Sequence, residues 1–473
     1  MSSDLERSGS EDRDDICSPQ PEVVHVDRLV WPKAWRAYAC LLGCFFLMFN
    51  SWGIVNAYGT YLAYYNESLL KGQSPLLLNL IGSTQCFMIL FFSFIVGRLL
   101  DANYSRALMA VGFCLVTLGM FLLSVVNGGG GENEGNYILT WLVQGVIAGL
   151  GMACFFTTSS QVVSTWFQGK VKPFAMAFVA SGAAISGLVF PFMLRFLIES
   201  KGFNFSDRMI STLAVGTMLT SLVLVQPSPN FTARTPDTWL SFNTWYDKGA
   251  FRSPMFCWLT AGNCFMFFGF YAVFFNLEEW SVKRGVGTKG DPQPGQDVLK
   301  TYYLLAIMNA TSTLGRIGSA FLCMPFNPVK VHCVVTFISS MLCFFFWTFA
   351  SKLSFALGFV VVFGAFSGSV IGLPPASMAT IMLGDHRMLG QWTGMMYTIS
   401  APFALTGPLI AGYLISEYGQ DYRTVQCWSG ACLLLSAACQ AVTVFYYTRA
   451  TKWEDGLEKL DTSGTTTPMV MAR

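Results

Sequence analysis

Twelve apolar stretches of about twenty residues, separated by short polar runs, divide the chain between residues 37 and 448. The pattern predicts spans at 37–62, 76–97, 107–126, 138–162, 174–197, 209–226, 254–279, 301–323, 331–350, 355–383, 394–416 and 425–448. As a helix, each is long enough to cross a hydrocarbon layer of about 30 Å, and a helix is the form in which a single segment satisfies its own backbone in lipid. The longest interior polar connection, Pro227 to Ser253, contains Pro227, Pro229 and Pro236 and falls between the sixth and seventh spans. The expected fold is therefore all-α and polytopic, with twelve transmembrane helices in two pseudo-symmetric six-helix bundles, 37–226 and 254–448. A cytosolic linker, 227–253, joins the bundles, and cytosolic tails, 1–36 and 449–473, flank them.

The second half echoes the first. Gly97-Arg98-Leu99-Leu100-Asp101 closes span two, and Gly315-Arg316-Ile317-Gly318-Ser319 stands in span eight, 218 positions later. Gly145 and Gly149 reappear as Gly364 and Gly368 at an offset of 219, and Pro191 as Pro408 at 217. A repeat of this length across a membrane bundle is the trace of two packed halves with a solute path between them. The glycine pairs put small residues one turn apart, which suits close helix contact, whether sliding or static. Pro191, Pro374-Pro375, Pro402 and Pro408 mark bends inside spans five, ten and eleven.

Composition removes other classes. With 53% hydrophobic and 12% charged residues, the chain has too little polar surface for a water-soluble globule of its length. A net charge of +2 with no dense basic block gives no footing for nucleic acid. The 14 cysteines lie mostly inside apolar spans, as Cys40, Cys44, Cys86, Cys264 and Cys343 do, with no Cys-x-x-Cys pair, so no metal site or disulfide framework is expected. The acidic start Ser2-Ser3-Asp4-Leu5-Glu6 is unlike a cleavable signal peptide and predicts a disordered tail. An even number of spans puts both termini on one side, here assigned to the cytosol. Arg98, Arg106, Lys170, Lys172, Arg316, Lys330 and Arg387 then face inward, but Lys283, Arg284, Lys289 and Lys300 crowd one outer loop, so charge alone does not orient the chain. In this topology the sequons at Asn66 and Asn204 face outward and are open to glycosylation, whereas those at Asn103 and Asn230 face the cytosol.

The stretch from Gly97 to Arg106 resembles the signature between the second and third helices of the major facilitator superfamily: a glycine, an acid four positions on, then basic residues. Gly97 lets a helix end approach its neighbour, and Asp101 is placed to face a helix N-terminus or a cation. Gly97, Arg98, Asp101 and Arg106 are thus the gating candidates. Asn50-Ser51-Trp52-Gly53-Ile54-Val55-Asn56-Ala57-Tyr58-Gly59, and Ser164-Thr165-Trp166-Phe167-Gln168-Gly169-Lys170 with Ala175 to Gly182, resemble the first-span and fifth-span signatures of monocarboxylate-transporter-like proteins, particularly their fungal branch. Span eight, from Tyr303 to Arg316, fits the same branch, and the resemblance covers residues 30–450. It implies a carrier working by alternating access. Where animal lactate carriers of that family have a lysine in span one and an aspartate before the span-eight arginine, this chain has Asn56 and Ser312, and Arg316 alone remains. With His25, His332 and His386 read as lying in tails or loops, relays for proton-linked lactate transport are sparse.

Arg316 is the sharpest candidate for substrate contact, because an arginine in an apolar helix needs a wet cavity or a partner. A gating role equivalent to that of Arg98 is its alternative. Trp52, Asn56, Tyr271, Asn309, Ser312 and Ser369 are the other in-span polar or aromatic candidates, though such a residue taken alone more often serves helix packing. Amides and aromatic rings fit a neutral or weakly charged organic molecule, larger and flatter than lactate. Glu278 and Glu279, which close span seven, read as a solvated helix end, with proton sensing at an outer gate as the alternative. No hydrolase elbow, phosphate-binding loop or zinc motif is present, and no cofactor or enzymatic activity is expected. The expected function is secondary transport of a small organic solute, a monocarboxylate or related metabolite, by a monomer, with protons as candidate coupling ion. Export of a secondary metabolite or toxic compound, or nutrient sensing, are the alternatives, and the plasma membrane is favoured over the vacuolar membrane.

Overall fold

The structure, a computed structural model, describes residues 31–229, 231, 245–287, 300–382, 389–419 and 421–462, side chains of 170 and 453–462 excepted. The distal tails, the middle of the linker, His25, His386 and Asn230 lie outside the described residues. Twelve long helices carry the described chain. The first bundle comprises α1 (Trp35–Leu69), α2 (Pro75–Asp101), α3 (Ser105–Val126), α4 (Tyr137–Trp166), α5 (Lys172–Lys201) and α6 (Phe203–Leu224). The second comprises α7 (Pro254–Arg284), α8 (Tyr302–Leu322), α9 (Pro328–Trp347), α10 (Leu353–Gly372), α11 (Leu389–Glu417) and α12 (Arg423–Lys452). Eleven of these are long and apolar enough to cross a membrane. The exception is α8, in which Asn309, Thr311, Ser312, Thr313 and Arg316 dilute a 21-residue helix that packs between α5 and α10.

Most helices outrun their apolar stretches, because hydropathy marks only the part inside the hydrocarbon. Three start with one device: Ser74, Ser253 and Asn327 cap α2, α7 and α9 through their side chains, each followed by proline at the first helical position. At the far end of α7, Gly285 takes the left-handed conformation (φ 68°) that closes a helix. Span ten is not continuous. It ends at Gly372 and a short helix, Pro374–Ile381, restarts it, since Pro374 lacks the amide hydrogen the helix needs. By contrast α1 breaks at Asn50-Ser51 without a proline. There Asn50 donates to Phe46 O and Thr217 Oγ1, both at 2.8 Å, and Ser51 donates to Met152 O.

Packing repeats with the predicted symmetry. Within the first bundle α1 lies on α4, α5 and α6, and α3 on α4 and α6; in the second, α7 lies on α11 and α12, and α9 on α10 and α12. Gly145 and Gly149 of α4 abut Thr84, Gln85 and Met88 of α2, while Gly364 and Gly368 of α10 abut Met308, Thr311 and Ser312 of α8. The bundles meet along α2 with α11, α5 with α8, and α1 with α7. Exchanging the halves turns the first seam into the second and leaves the third unchanged. The share of the apolar window buried is 78% for α7 but 33% for α6, so α7 is central and α6 faces lipid.

Candidate substrate site and its gates

At the end carrying both termini, a cavity of about 850 Å³ lies between the bundles. One wall is the polar face of α4, with Thr157, Ser160, Gln161 and Ser164, continued by Lys172 and Met176 of α5. The facing wall runs from Pro375 to Thr380 and along α11 from Leu389 to Tyr397. Apolar surface dominates, with hydroxyls and amides at intervals. Most α4 hydroxyls bond their own helix, as Ser164 does to Ser160 O at 2.8 Å, while the buried Thr157 Oγ1 has no partner among the described residues.

Aromatic rings roof this cavity. Phe156 and Tyr397, both on its wall, meet edge to face at 5.1 Å. Behind them Trp52 meets Phe156 at 5.5 Å, stacks on Tyr271 at 5.4 Å and 10°, and lies 6.0 Å from Phe267. Rings from α1, α4, α7 and α11 thus block the axis between the bundles. Trp52 and Tyr271 were legible as candidates. Phe156, Phe267 and Tyr397 were not, since a chain with 42 phenylalanines offers no spacing that singles them out.

The polar candidates divide between two seams. Asn56, Asn309 and Arg316 converge on the small-residue face of α5. There Asn56 donates to Ala183 O at 3.2 Å, Arg316 donates to Ala180 O, and Gly187 leaves room for the Asn309 amide, which a Cβ there would meet at 2.6 Å. Arg316 is 4% exposed and its Nε has no partner among the described residues. Tyr271 lies within its electrostatic reach, linking the seam to the roof. Ser312 and Ser369 lie elsewhere, on the contact between α8 and α10, where Ser369 donates to Gly315 O at 2.9 Å and Ser312 faces Gly368. None of the seven candidates lies on the cavity wall itself.

The opposite end is shut. Arg195 of α5 bonds Glu278 of α7 at 2.5 Å and stands 3.8 Å from Glu67. Glu199 of α5 pairs with Lys300 at 2.8 Å, Asn79 and Asn276 face each other between α2 and α7 at 3.5 Å, and α11 presses Gly412 against Pro75. The reading of Glu278 and Glu279 as a solvated helix end is thereby corrected. Both are buried, because α7 continues five residues beyond the predicted span and Arg195 crosses from α5 to meet it. Arg195 itself was missed, and an arginine inside the apolar stretch 174–197 was the signal available.

At the terminal end, Arg98 pairs with Asp101 at 3.6 Å. Asp101 reaches α11 at Gly390, where a Cβ would lie 3.3 Å from its Oδ1. Gln161 fills the space between Gly97 and Gly390; a Cβ on either would meet its Nε2 at 3.0 or 2.8 Å. Arg106 is exposed. His332 needs correction too. It falls within the predicted ninth span and is buried in the first turns of α9, with Nδ1 3.3 Å from Ser377 and Nε2 3.1 Å from Gln440, because α12 and the short helix Pro374–Ile381 pack against it. Of the outward sequons, Asn66 is half-buried, while Asn204 spends its Nδ2 on Gly128 O at 2.8 Å.

Comparison with known proteins gives a consistent answer. Residues 40–401 match the Major Facilitator Superfamily. The chain is 28% identical to the MFS-type transporter dbaD of Emericella nidulans over 80% of each protein. It is 27% identical to the fujikurins efflux protein of Gibberella fujikuroi, covering 85% of this chain and 81% of that protein. Among solved structures, the E. coli fucose:proton symporter FucP superposes with a TM-score of 0.61 at 15% identity, over 86% of this chain and 98% of that one. The last likeness concerns the fold alone.

Proposed function

Because this chain belongs to the Major Facilitator Superfamily and is a secondary membrane transporter, we propose that it exports a secondary metabolite: a bulky, mostly apolar organic molecule with an aromatic or conjugated face. The cavity carries this reading. At about 850 Å³ it falls in the range of sites for drug-sized ligands, and a three-carbon acid would leave most of it unfilled. The fujikurins efflux protein, similar over most of its length, supports outward transport.

The geometry suggests how such a solute passes. It enters from the terminal, cytosolic end and meets the roof of Phe156 and Tyr397. Each ring pair there is worth about 0.5–1.5 kcal/mol beyond burial. A solute with its own aromatic face replaces those contacts as Trp52 and Tyr271 part, so the roof opens at little net cost. An acidic group on the solute would compete with Ala180 O for Arg316, which shifts the bond between α5 and α8. The bundles then rock about α1 and α7, the Arg195–Glu278 pair separates, and the opposite end opens. The cavity lies within one chain, so a monomer suffices, and we assign the carrier to the plasma membrane, with protons as coupling ion.

The test is untargeted. Metabolites in cells and in medium are compared with and without the protein, at two external pH values. A solute retained in cells and missing from the medium when the protein is removed is the expected result. Identical profiles, or a solute depleted from cells instead, refute export.

A further inference from the structure

Asp207 is an ionisable side chain inside the first bundle that the solute path leaves unused. It lies in the second turn of α6, fully buried. Among the described residues its Oδ1 accepts one hydrogen bond, from the Tyr61 hydroxyl at 3.3 Å, and its Oδ2 is buried without a partner. A buried carboxylate gathers several donors, and its hydroxyl bonds shorten to about 2.5–2.7 Å. One long hydroxyl contact instead suits a neutral acid. Among the described residues Asp207 forms no ion pair. The groups that face it are Tyr61 and Tyr65 of α1 and Arg208 on its own helix. Arg208 turns to α3, where its Nε donates to Ser124 at 3.2 Å.

Tyr61 ties this acid to the seam that must open. One turn away on α1, Tyr58 meets Phe275 of α7 at 5.0 Å, and Gly59 approaches the Phe274 carbonyl so closely that a Cβ would stand 2.6 Å from it. On the other side of Tyr61, Tyr65 donates to Gln144 of α4 at 2.7 Å, and Gln85 of α2 donates to the Gln144 carbonyl at 3.0 Å. A polar file therefore runs through the first bundle from Asp207, beside the contact between α1 and α7. An ionisable group placed this way in a membrane bundle is costly to keep unless it is used.

We propose that Asp207 is a proton-binding site of the carrier, neutral while the end opposite the termini is closed and ionised when that end opens. On opening, water reaches the Tyr61–Asp207 pair, the carboxylic O–H bond breaks, and the proton leaves as hydrated proton. On closing, a hydrated proton from the same solution forms that bond at Oδ2 and returns its water to bulk. No electrons are transferred. Because the closed state holds the proton more tightly, acid on that side favours closure and alkali favours opening. In an exporter this biases the return: solute leaves, a proton binds, and the empty carrier favours closure, with no proton carried across at this site. The direction of the cycle rests on the export reading, but the proton site is testable with no solute present.

The experiment uses the full chain in nanodiscs. Infrared spectra are expected to show a carboxylic C=O band in the wild type that is absent in Asp207→Asn and displaced in Asp207→Glu. Hydrogen exchange of segments 57–70 and 270–284, corrected for the intrinsic effect of pH, is expected to rise with pH in the wild type by up to roughly tenfold per unit, the slope of one proton. In Asp207→Asn it stays low at every pH. Spectra identical in wild type and Asp207→Asn overturn the site. A band with exchange that is equally pH-dependent in both proteins overturns the coupling. If Asp207→Asn does not fold, Asp207→Glu and Tyr61→Phe carry the test, the first by its displaced band and the second by a changed pH midpoint. Failure on these counts leaves the export reading standing, since that is decided by metabolites in cells and medium.

Discussion

Removing the Arg195 guanidinium is the most direct way to test whether the end opposite the termini is held shut by charge. Arg195 is 12% exposed, Glu278 is 1% exposed at 2.5 Å, and Glu67, at 3.8 Å, is 43% exposed. Breaking a buried pair by deleting one partner costs about 3–5 kcal/mol, because the other charge is left uncompensated. With Arg195 partly hydrated, we take about 2–4 kcal/mol as the cost of Arg195→Gln to the closed state. When the bundles part, both charges reach water, so the open state escapes that cost. The equilibrium should move toward the open state by roughly 30- to 1,000-fold. Hydrogen exchange in segments 57–70 and 270–284 would rise accordingly, while the fold, read by circular dichroism, stays helical. Restoring the pair in reverse, with Arg195→Glu and Glu278→Arg together, should recover part of the protection. Unchanged exchange in Arg195→Gln would show that helix packing alone closes this end, and the argument from the ion pair would be wrong.

Gly315→Ala puts a Cβ 1.7 Å from the Ala365 carbonyl oxygen, so α8 and α10 must separate; a cost of about 1–3 kcal/mol and a lower melting temperature are expected. Gly318→Ala, with nothing within 4 Å, should leave it unchanged or slightly higher and so controls for helix propensity. Trp52→Ala removes the ring stacked on Tyr271 at 5.4 Å; in liposome flux assays KM for an aromatic solute should rise about tenfold while that for an aliphatic one moves less. Arg316→Ala should abolish transport with insertion intact, as judged by flux and by membrane fractionation. Ser319→Asp, which gives Arg316 an acid three residues on, should draw the guanidinium away from Ala180 and mimic that loss.

Much of the fold was legible because lipid leaves few options. Twenty apolar residues must be helical, and the repeated glycines of spans four and ten marked close helix contacts, whose partners in the structure are α2 and α8. Charge partners were harder. Arg195 and Glu278 are 83 positions apart, and Glu278 stands where the apolar run gives out, so hydropathy reads it as a wet end. Asp207 fell just before the predicted sixth span, yet the helix begins at Phe203 and folds it inward against Tyr61. Of the seven binding candidates, five were brought to the roof or to the α5 seam, and the two serines, Ser312 and Ser369, to a helix contact. Spacing along a helix fixes which residues share a face, not which neighbour that face meets.

The repeat itself explains why Arg316 reaches across the bundles when Arg98 does not. Both follow a glycine at corresponding places on α2 and α8, and both have a residue three positions on that decides what the guanidinium does. For Arg98 that residue is Asp101, which pairs with it at 3.6 Å and keeps it on its own helix. For Arg316 it is Ser319, which donates to the Arg316 carbonyl at 2.8 Å and offers the guanidinium no charge. A buried arginine without a local acid must find acceptors elsewhere, and the carbonyl of Ala180 on α5 is one. The two seams, α2 with α11 and α5 with α8, are thus alike in backbone and unlike in charge. Gly97 faces Gln161 and Gly390 where Gly315 faces Ala365 of α10, and the change from acid to serine leaves Arg316 bonded to Ala180 within electrostatic reach of Tyr271.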